Sequence, residues 1–332
     1  VRASSPYRRL KLALDYWCAL WFWPLEKAEQ LPSREEWLFD LELVLHGGVI
    51  DRAGTGESQL PLFPSMAKEE AEALVRRVGM VNVETLLSGN GRLRTADELA
   101  EKHRFLHWEA EFADIFAFRG GFDLVLGNPP WIKVEWTEGD VLGESSPLFV
   151  FRNYSATQMA RLREELLQDE SLRKRYFGAY EEAAGQQNFL NALCNYPELH
   201  GMQSNLYKCF LPVAWRIGSE RGISAFLHPE GIYDDPNGGA LRRELYKRLR
   251  YHFQFENEMK LFGDVDNHTT FSVNIYGPQS EMMNFYHIAN LFISSTVDDC
   301  FSKDSSGPLP GIKTDDHRWN TTGHRDRVVH VT

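Results

Sequence analysis

A short apolar run followed by two consecutive prolines constrains this chain more than any other feature. The run spans Phe122–Gly127 and is followed by Asn128, Pro129, Pro130 and Trp131. Proline has no backbone N–H and cannot continue a helix, and an apolar run of this length is typical of a buried strand. The pattern therefore predicts a buried parallel strand that ends in a stiff turn.

The turn after this strand is rich in hydrogen-bond acceptors. Ligands of open α/β sheets bind at the carboxyl ends of the strands. The two prolines leave only carbonyl groups on the main chain, and Asn128 adds a side-chain oxygen. Such a turn suits an incoming NH₂ group, and Trp131 offers a flat face for a planar base. We therefore favour methyl transfer to an amine over a simple Asn-Pro turn.

The rest of the sequence predicts helices around a sheet. Ser33 with Glu36, Thr95 with Glu98 and Ser155 with Gln158 are capping-box patterns. Further predicted elements are a loop at 47–64, helices at 66–77, 96–103, 155–168 and 240–250, a second buried strand at 222–228, and strands at 252–256 and 270–276.

Strand, helix and strand with short connections predict an α/β fold with a mostly parallel sheet. We expect a helical region at 1–104 and a catalytic core at 105–278, with a helical insertion at about 140–215. The pattern weakens after Gly277, and 279–332 is expected to begin another module, for which target recognition is a candidate role.

Composition excludes several classes of protein. The 36 Lys and Arg against 47 Asp and Glu give a net charge of −11, so DNA contact would require a local basic surface. The four cysteines form no CxxC pair, which disfavours a structural zinc site or a disulfide framework. The most apolar run, at 12–25, contains Asp15 and Pro24 and is too short to cross a membrane. We expect a cytoplasmic protein.

Residues 122–131, with the segment 106–116, resemble the N6-adenine DNA methyltransferases. The resemblance is closest to the large methylases of type IIG restriction systems and of the BREX and DISARM phage-defence systems. Their motif is Asp, Asn or Ser, then two prolines, then Tyr, Phe or Trp, which Asn128–Trp131 matches. Segments at 205–210, 228–231 and 241–245 are also similar, so the likeness covers about 105–278.

The resemblance implies part of a seven-stranded, Rossmann-like class I methyltransferase sheet, with S-adenosylmethionine as the donor. It implies that Asn128 and the Pro129 carbonyl hold the adenine amine. It also implies that Trp131 stacks on a base flipped out of double-stranded DNA. Asn128 and Glu111 are the candidate donor-binding residues, no metal is expected, and other defence-system subunits are candidate partners.

The Gly-rich donor loop of this family has no good match. Candidates at 43–48 and 88–91 lack the helix after them or the strand before them, and 235–240 fits better as the loop after the second strand. We therefore expect the donor loop to lie before Val1, and this chain alone to bind the donor weakly or not at all.

Three other functions stay open at this point. Release-factor methylases use the same tetrapeptide on a glutamine side-chain amide. Glu258 and Lys260, with Glu230 upstream, loosely match a metal-dependent nuclease. A sheet without a donor loop also fits a non-catalytic DNA-binding scaffold. His103 and His107 are four residues apart, and we interpret them as surface histidines.

Two basic groups suit a phosphate backbone, although a solvated helix face explains either equally well. We favour the group near the predicted active edge, which comprises Arg242, Arg243, Lys247, Arg248 and Arg250, and the first four of these are the DNA-binding candidates. The other group comprises Arg161, Arg163, Arg173, Lys174 and Arg175.

Overall fold

The protein is described here from a computed structural model, over residues 5–46, 83–152, 154–302 and 306–332. The loop predicted at 47–64 and the helix predicted at 66–77 lie outside these residues. Contacts divide the chain into a first unit, Val1–Phe112 with Glu135–Phe189, and a second unit, Ala113–Val134 with Leu190–Thr332. This grouping differs from the boundaries expected at 104 and 278, which stay a prediction about functional modules.

Helices dominate the described residues, and six strands form one sheet. The α-helices are Pro6–Ala19 (α1), Arg34–His46 (α2), Val83–Gly89 (α3), Gly91–His103 (α4), Trp108–Glu111 (α5), Ala113–Arg119 (α6), Glu138–Ser145 (α7), Leu148–Phe151 (α8), Ala156–Leu166 (α9), Glu170–Asn191 (α10), Leu206–Ile217 (α11), Gly231–Asp234 (α12), Gly239–Arg248 (α13) and Ser295–Ser302 (α14). The strands are Phe122–Gly127 (β1), Gly218–Pro229 (β2), Leu249–Glu256 (β3), Thr270–Tyr276 (β4), Phe285–Leu291 (β5) and Val329–Val331 (β6).

Of the two capping boxes predicted in the first unit, one forms in the structure and the other does not. The Ser33 and Glu36 capping box forms, with the Ser33 N–H donating to the Glu36 carboxylate at 2.8 Å. The capping box at Thr95 was a wrong prediction. Helix α4 begins five residues earlier, because the Asn90 side chain accepts from the backbone N–H of Arg92 at 2.9 Å. Thr95 is buried inside the helix instead.

A buried carboxylate links α1, α2 and α4 in the first unit. Asp40 is fully buried and accepts hydrogen bonds from Tyr16 Oη at 2.9 Å, Asn90 Nδ2 at 2.7 Å and Arg92 Nε at 2.7 Å. Burial of an ionised carboxylate is tolerated only with such donors. The Asp40 cluster therefore fixes how these helices meet around an apolar core that includes Leu12.

The sheet of the second unit has the order β1-β2-β4-β3-β5-β6. Strand β2 is parallel to β1, and β5 is parallel to β3, whereas β4 and β6 are antiparallel to their neighbours. Four of the six strands consequently run in one direction. The predicted α/β fold is confirmed, with a sheet in which most strands point the same way.

Strand β1 lies at an edge of this sheet, and this corrects its predicted burial. It pairs in parallel with β2, with Gly127 opposite Phe226. Leu124 is 62% exposed and Leu126 is 76% exposed. Within the described residues, only β2 pairs with β1. The apolar composition of β1 indicates a strand but does not determine whether both of its faces are covered.

Residues after Gly277 extend the same sheet. Strand β5 pairs with β3, and β6 pairs with β5. These strands share backbone hydrogen bonds with the core, and the module expected over 279–332 stays a prediction. The sheet therefore continues to within one residue of the last described position.

A fully buried histidine makes the stability of the second unit depend on pH. Asn274 Nδ2 donates to His228 Nε2 at 3.0 Å, and His228 Nδ1 donates to the Pro229 carbonyl at 2.9 Å. This pattern fits the neutral ring. Burial lowers the pKa of His228 from 6.5 to about 4.

Between these two pH values the unfolded chain binds a proton that folded His228 does not. The contribution of neutral His228 to the free energy of unfolding is therefore fully present above pH 6.5. It decreases as the pH falls towards 4, by at most about 1.4 kcal/mol per pH unit. We expect His228→Gln to flatten this slope in urea unfolding measured at pH 7, 5.5 and 4.5. His268→Gln, at a side chain that is 76% exposed, should leave it unchanged. An unaltered slope in His228→Gln contradicts the assignment.

Candidate active site at the carboxyl edge of the sheet

The predicted turn lies where β1, β2 and β3 end, which we call the carboxyl edge. Gly127 packs directly against the Phe226 ring, where an added Cβ would lie 3.3 Å from the nearest ring carbon. After Gly127 the chain leaves the sheet, with Asn128 exposed, Pro129 buried and Pro130 exposed. The Asn128 side chain has no hydrogen-bond partner among the described residues. It is therefore open to an external donor.

The Trp131 side chain packs against two other aromatic rings. Its ring lies 5.8 Å from the Phe262 ring and 5.9 Å from the Phe271 ring. Its indole N–H points to the Leu227 carbonyl at 3.4 Å. Trp131 remains partly exposed, so one part of the indole is still accessible. The sequence predicts an indole face that is available for stacking on a base, whereas the side chain belongs to an aromatic cluster at the carboxyl edge.

Two backbone hydrogen bonds fix the segment that follows the turn. The Leu206 N–H donates to the Ile132 carbonyl at 2.9 Å, and the Val134 N–H donates to the Ser204 carbonyl at 3.3 Å. Lys133 and Asn205 form an antiparallel bridge between them. The turn is thus anchored at both ends, by β1 before it and by the start of α11 after it.

The loop after β2 is a packed structural element. Lys208 Nζ pairs with Asp235 Oδ2 at 2.8 Å, and both side chains are largely buried. Arg242 donates to the backbone carbonyls of Ile232 at 3.0 Å and Asp235 at 2.6 Å. Residues 235–238 accordingly connect α12 to α13 after β2, and Gly239 and Ala240 begin α13.

The four DNA-binding candidates on α13 differ in what they contact. Arg242 is engaged by the loop carbonyls, and Arg248 pairs with Glu244 at 2.8 Å and lies 4.9 Å above the Trp215 ring. Arg243 is exposed and Lys247 is partly exposed. Within this group, the side chain most accessible to a phosphate is that of Arg243.

The other candidate residues are found in local contacts. Glu111 ends α5 in the first unit and accepts a hydrogen bond from the Tyr7 hydroxyl, which raises the pKa of Tyr7 to about 12. Also in the first unit, His107 Nε2 bonds to Asp15 at 2.9 Å, whereas His103 packs against Phe22 with ring centroids 4.5 Å apart. The two histidines therefore have separate partners.

The residues of the nuclease alternative are likewise engaged. Burial acts to raise the pKa of Glu230, but hydrogen bonds from His252 at 3.0 Å and Gln254 at 3.0 Å outweigh it and lower the pKa. Glu258 pairs with His268 at 3.2 Å. Across the described part of the chain, no group of three or more His, Cys, Asp or Glu side chains is arranged to hold a metal ion.

Sequence reasoning missed the loop that supports Trp131. The loop follows β3 and contains Asn257 and Phe262, which lie well over a hundred positions after Trp131 in the chain. Periodicity carries no signal for this contact, because the residues meet only when β1, β3 and β4 assemble.

No helix in the described residues is long and apolar enough to span a membrane.

Comparison with known families supports the resemblance drawn from the motif. Residues 41–159 match the family described as Eco57I restriction-modification methylase. The match includes Asn128–Trp131 and Glu111. This part of the chain is therefore similar to restriction-modification methylases. Among curated proteins, none matches the chain significantly.

Several solved structures show weak similarity. The ATP-dependent Type ISP restriction-modification enzyme LlaBIII bound to DNA is 10% identical, with 60% of this chain and 11% of that chain covered and a TM-score of 0.27. A nuclease-deletion mutant of the Type ISP restriction-modification enzyme LlaGI in complex with a DNA substrate mimic is 12% identical, with 60% of this chain and 16% of that chain covered and a TM-score of 0.26. The DrdV–DNA complex is 15% identical, with 70% of this chain and 20% of that chain covered and a TM-score of 0.28. The chain spans at most a fifth of the length of these enzymes.

Proposed function

We propose that this chain carries the amine-binding part of an adenine-N6 DNA methyltransferase of a restriction-modification or phage-defence protein. The observation that carries the proposal is the exposed acceptor oxygen of Asn128, beside two prolines, within the segment that matches a methylase family. Double-stranded DNA with a flipped adenine is the proposed substrate. Further subunits of a defence system are proposed partners.

Asn128 and the Pro129 carbonyl would act on the exocyclic amine of adenine. The nitrogen lone pair of this amine is delocalised into the ring, which makes it a weak nucleophile. Two acceptors that take its two N–H groups favour tetrahedral geometry and return the lone pair to the nitrogen. The absence of main-chain donors at two successive prolines prevents the turn from competing for those acceptors.

S-adenosylmethionine, when bound, supplies an activated methyl group. Asn128 is proposed to be among the residues that would hold it. The described residues 88–91 and 235–240 do not form a strand, glycine turn and helix in the required order.

Methylation of DNA by the intact protein tests the proposal. Incubation with radiolabelled S-adenosylmethionine and double-stranded DNA should place label in N6-methyladenine when the DNA is digested to nucleosides. Label recovered in a glutamine amide of a protein would support the release-factor type of activity instead. Absence of label in nucleosides from DNA that contains a range of sequences would overturn the proposal.

Trp131 is expected to contribute to capture of the base more than to binding of the donor. In the intact protein, Trp131→Phe should preserve packing against Phe262 and Phe271 and raise the KM for DNA by about three- to tenfold, since base stacking contributes about 1–3 kcal/mol per base. The Kd for S-adenosylmethionine, from calorimetry, should change less than about twofold.

Phe253→Leu is the matched control for Trp131→Phe. Phe253 is a partly buried aromatic residue of the same cluster, but it lies in the middle of β3 and not at the carboxyl edge. This variant should leave the KM for DNA unchanged. An equal loss of affinity for DNA and for the donor in Trp131→Phe argues against stacking.

A further inference from the structure

The loop after β3 is organised by one buried asparagine. Asn257 is fully buried, and its Nδ2 donates to the carbonyl of Phe262 at 2.9 Å and to that of Val265 at 3.0 Å. Asn257 Nδ2 also donates a longer bond of 3.3 Å to the Asp266 carbonyl, and Asn257 Oδ1 accepts from the Phe262 N–H at 3.0 Å. Both ends of the side-chain amide are thus committed to the backbone of residues 262–266.

The shape of this loop needs such support. Lys260 has a φ of 52°, in the left-handed region, which is unfavourable for a residue other than glycine. The Lys260 N–H donates to the Asn257 carbonyl at 2.7 Å. Few apolar contacts are available to the exposed residues Met259 and Leu261. The hydrogen bonds of Asn257 therefore supply much of what keeps the loop in one conformation.

The loop delivers Phe262 to the candidate site. Its ring meets Trp131 at a centroid distance of 5.8 Å and an angle of 66°, and meets Phe271 at 5.0 Å and 79°. Edge-to-face pairs of this kind stabilise the contact beyond the effect of the area that they bury. Phe262 thus stabilises one orientation of the Trp131 indole, which the Leu227 carbonyl contacts at its N–H.

We infer that Asn257 is a positioning residue for the candidate site. Through the backbone of Phe262 it fixes the aromatic edge that holds the Trp131 indole beside Asn128. This inference rests on the proposed function for its effect on catalysis, but its structural part concerns Trp131 alone. Loss of the Asn257 amide should release Phe262 and leave the indole free to rotate.

Asn257→Ala in the intact protein is expected to raise the KM for DNA at least about tenfold, because a displaced stacking surface no longer meets the incoming base. The Kd for S-adenosylmethionine should stay within about twofold. A 2-aminopurine at the target position should also show less of the fluorescence increase that accompanies base flipping. An unchanged KM in a folded Asn257→Ala protein overturns the inference.

Asn274→Ala is the matched control. Asn274 is also fully buried and hydrogen-bonded in the same sheet, but its partners are Ser272, His228 and Tyr233. It should lower the melting temperature by a similar amount while leaving the KM for DNA unchanged. An equal rise of KM in both variants would mean that lost stability, and not position, explains the effect.

A second variant keeps the test decisive when Asn257→Ala does not fold. Phe262→Leu retains the backbone hydrogen bonds of the loop and removes only the aromatic edge, so it should raise the KM for DNA by itself. Where both variants fold, their effects should not add, because Asn257 acts through Phe262. Additive effects, or a Phe262→Leu protein with unchanged KM, overturn the inference.

A spectroscopic measurement separates this inference from the proposed function. In the intact protein labelled with 5-fluorotryptophan, the ¹⁹F resonance of Trp131 is assigned from its loss in Trp131→Phe. Asn257→Ala should shift or broaden this resonance, and Asn274→Ala should not. If the wild-type protein methylates no DNA, this measurement still decides the structural claim. An unmoved resonance in Asn257→Ala overturns it.

Discussion

Asn128→Ala in the intact protein is expected to lower the rate of methyl transfer to adenine at least about a hundredfold, the cost of removing one hydrogen-bonding group from a reacting centre. Asn128 is exposed and has no hydrogen-bond partner among the described residues, so its replacement leaves nothing buried and unpaired. The melting temperature should consequently stay close to that of the wild-type protein. Incorporation of labelled methyl groups into DNA measures the effect.

Two variants bracket the Asn128 result. Asn128→Asp keeps side-chain oxygens, and the family motif accepts Asp at this position, so this variant should retain measurable activity. Asn284→Ala removes another exposed asparagine, before β5 and away from β1, and should have no effect on the rate. Wild-type activity in Asn128→Ala would remove Asn128 from the mechanism.

The largest loss of stability is expected from Asp40→Ala. Asp40 is fully buried, and its removal leaves Arg92, Tyr16 and Asn90 without the acceptor that they share. Arg92 is 26% exposed and can still reach water, so the cost arises mainly at the fully buried Tyr16 hydroxyl, and a buried polar group left without a partner costs about 1–3 kcal/mol. We expect the free energy of unfolding of the first unit to fall by this amount in urea titration.

Asp97→Ala controls for the loss of a carboxylate in the same unit. Asp97 pairs with Arg8 at 2.9 Å, but the two side chains are 18% and 25% exposed. A pair that water still reaches contributes about 0–1 kcal/mol, so this variant should unfold almost like the wild type. If Asp40→Ala costs no more than Asp97→Ala, the Asp40 cluster does not hold α1, α2 and α4 together.

The turn at Asn128 shows how far local sequence reaches. The apolar run over 122–127 and the two prolines predict a strand and its end, and the structure has both. The predicted cover over β1 is wrong, since Leu126 is 76% exposed. Burial of a strand depends on what lies on both of its faces and edges, and the composition of the strand alone does not report this.

Trp131 illustrates the same limit at the candidate site. The motif places an aromatic residue after the prolines, but the sequence does not show that Phe262 and Phe271 pack against it. Likewise, the basic residues of α13 suggest DNA contact, whereas Arg242 is bonded to carbonyls of the preceding loop. A side chain's charge is readable in the sequence, but its partner depends on which loops fold over it.

The sequence by itself determined the α/β class, the strand at 122–127, the acceptor-rich turn after it and the family of methylases that it matches. These features depend on residues close together in the chain, whose dihedral limits and hydrogen-bonding groups act locally. Only the tertiary structure decided that β1 lies at an edge, that β5 and β6 extend the sheet, and that Asn257 reaches Trp131 through Phe262. Those features arise from contacts between segments far apart in the chain, which form only when the strands pair.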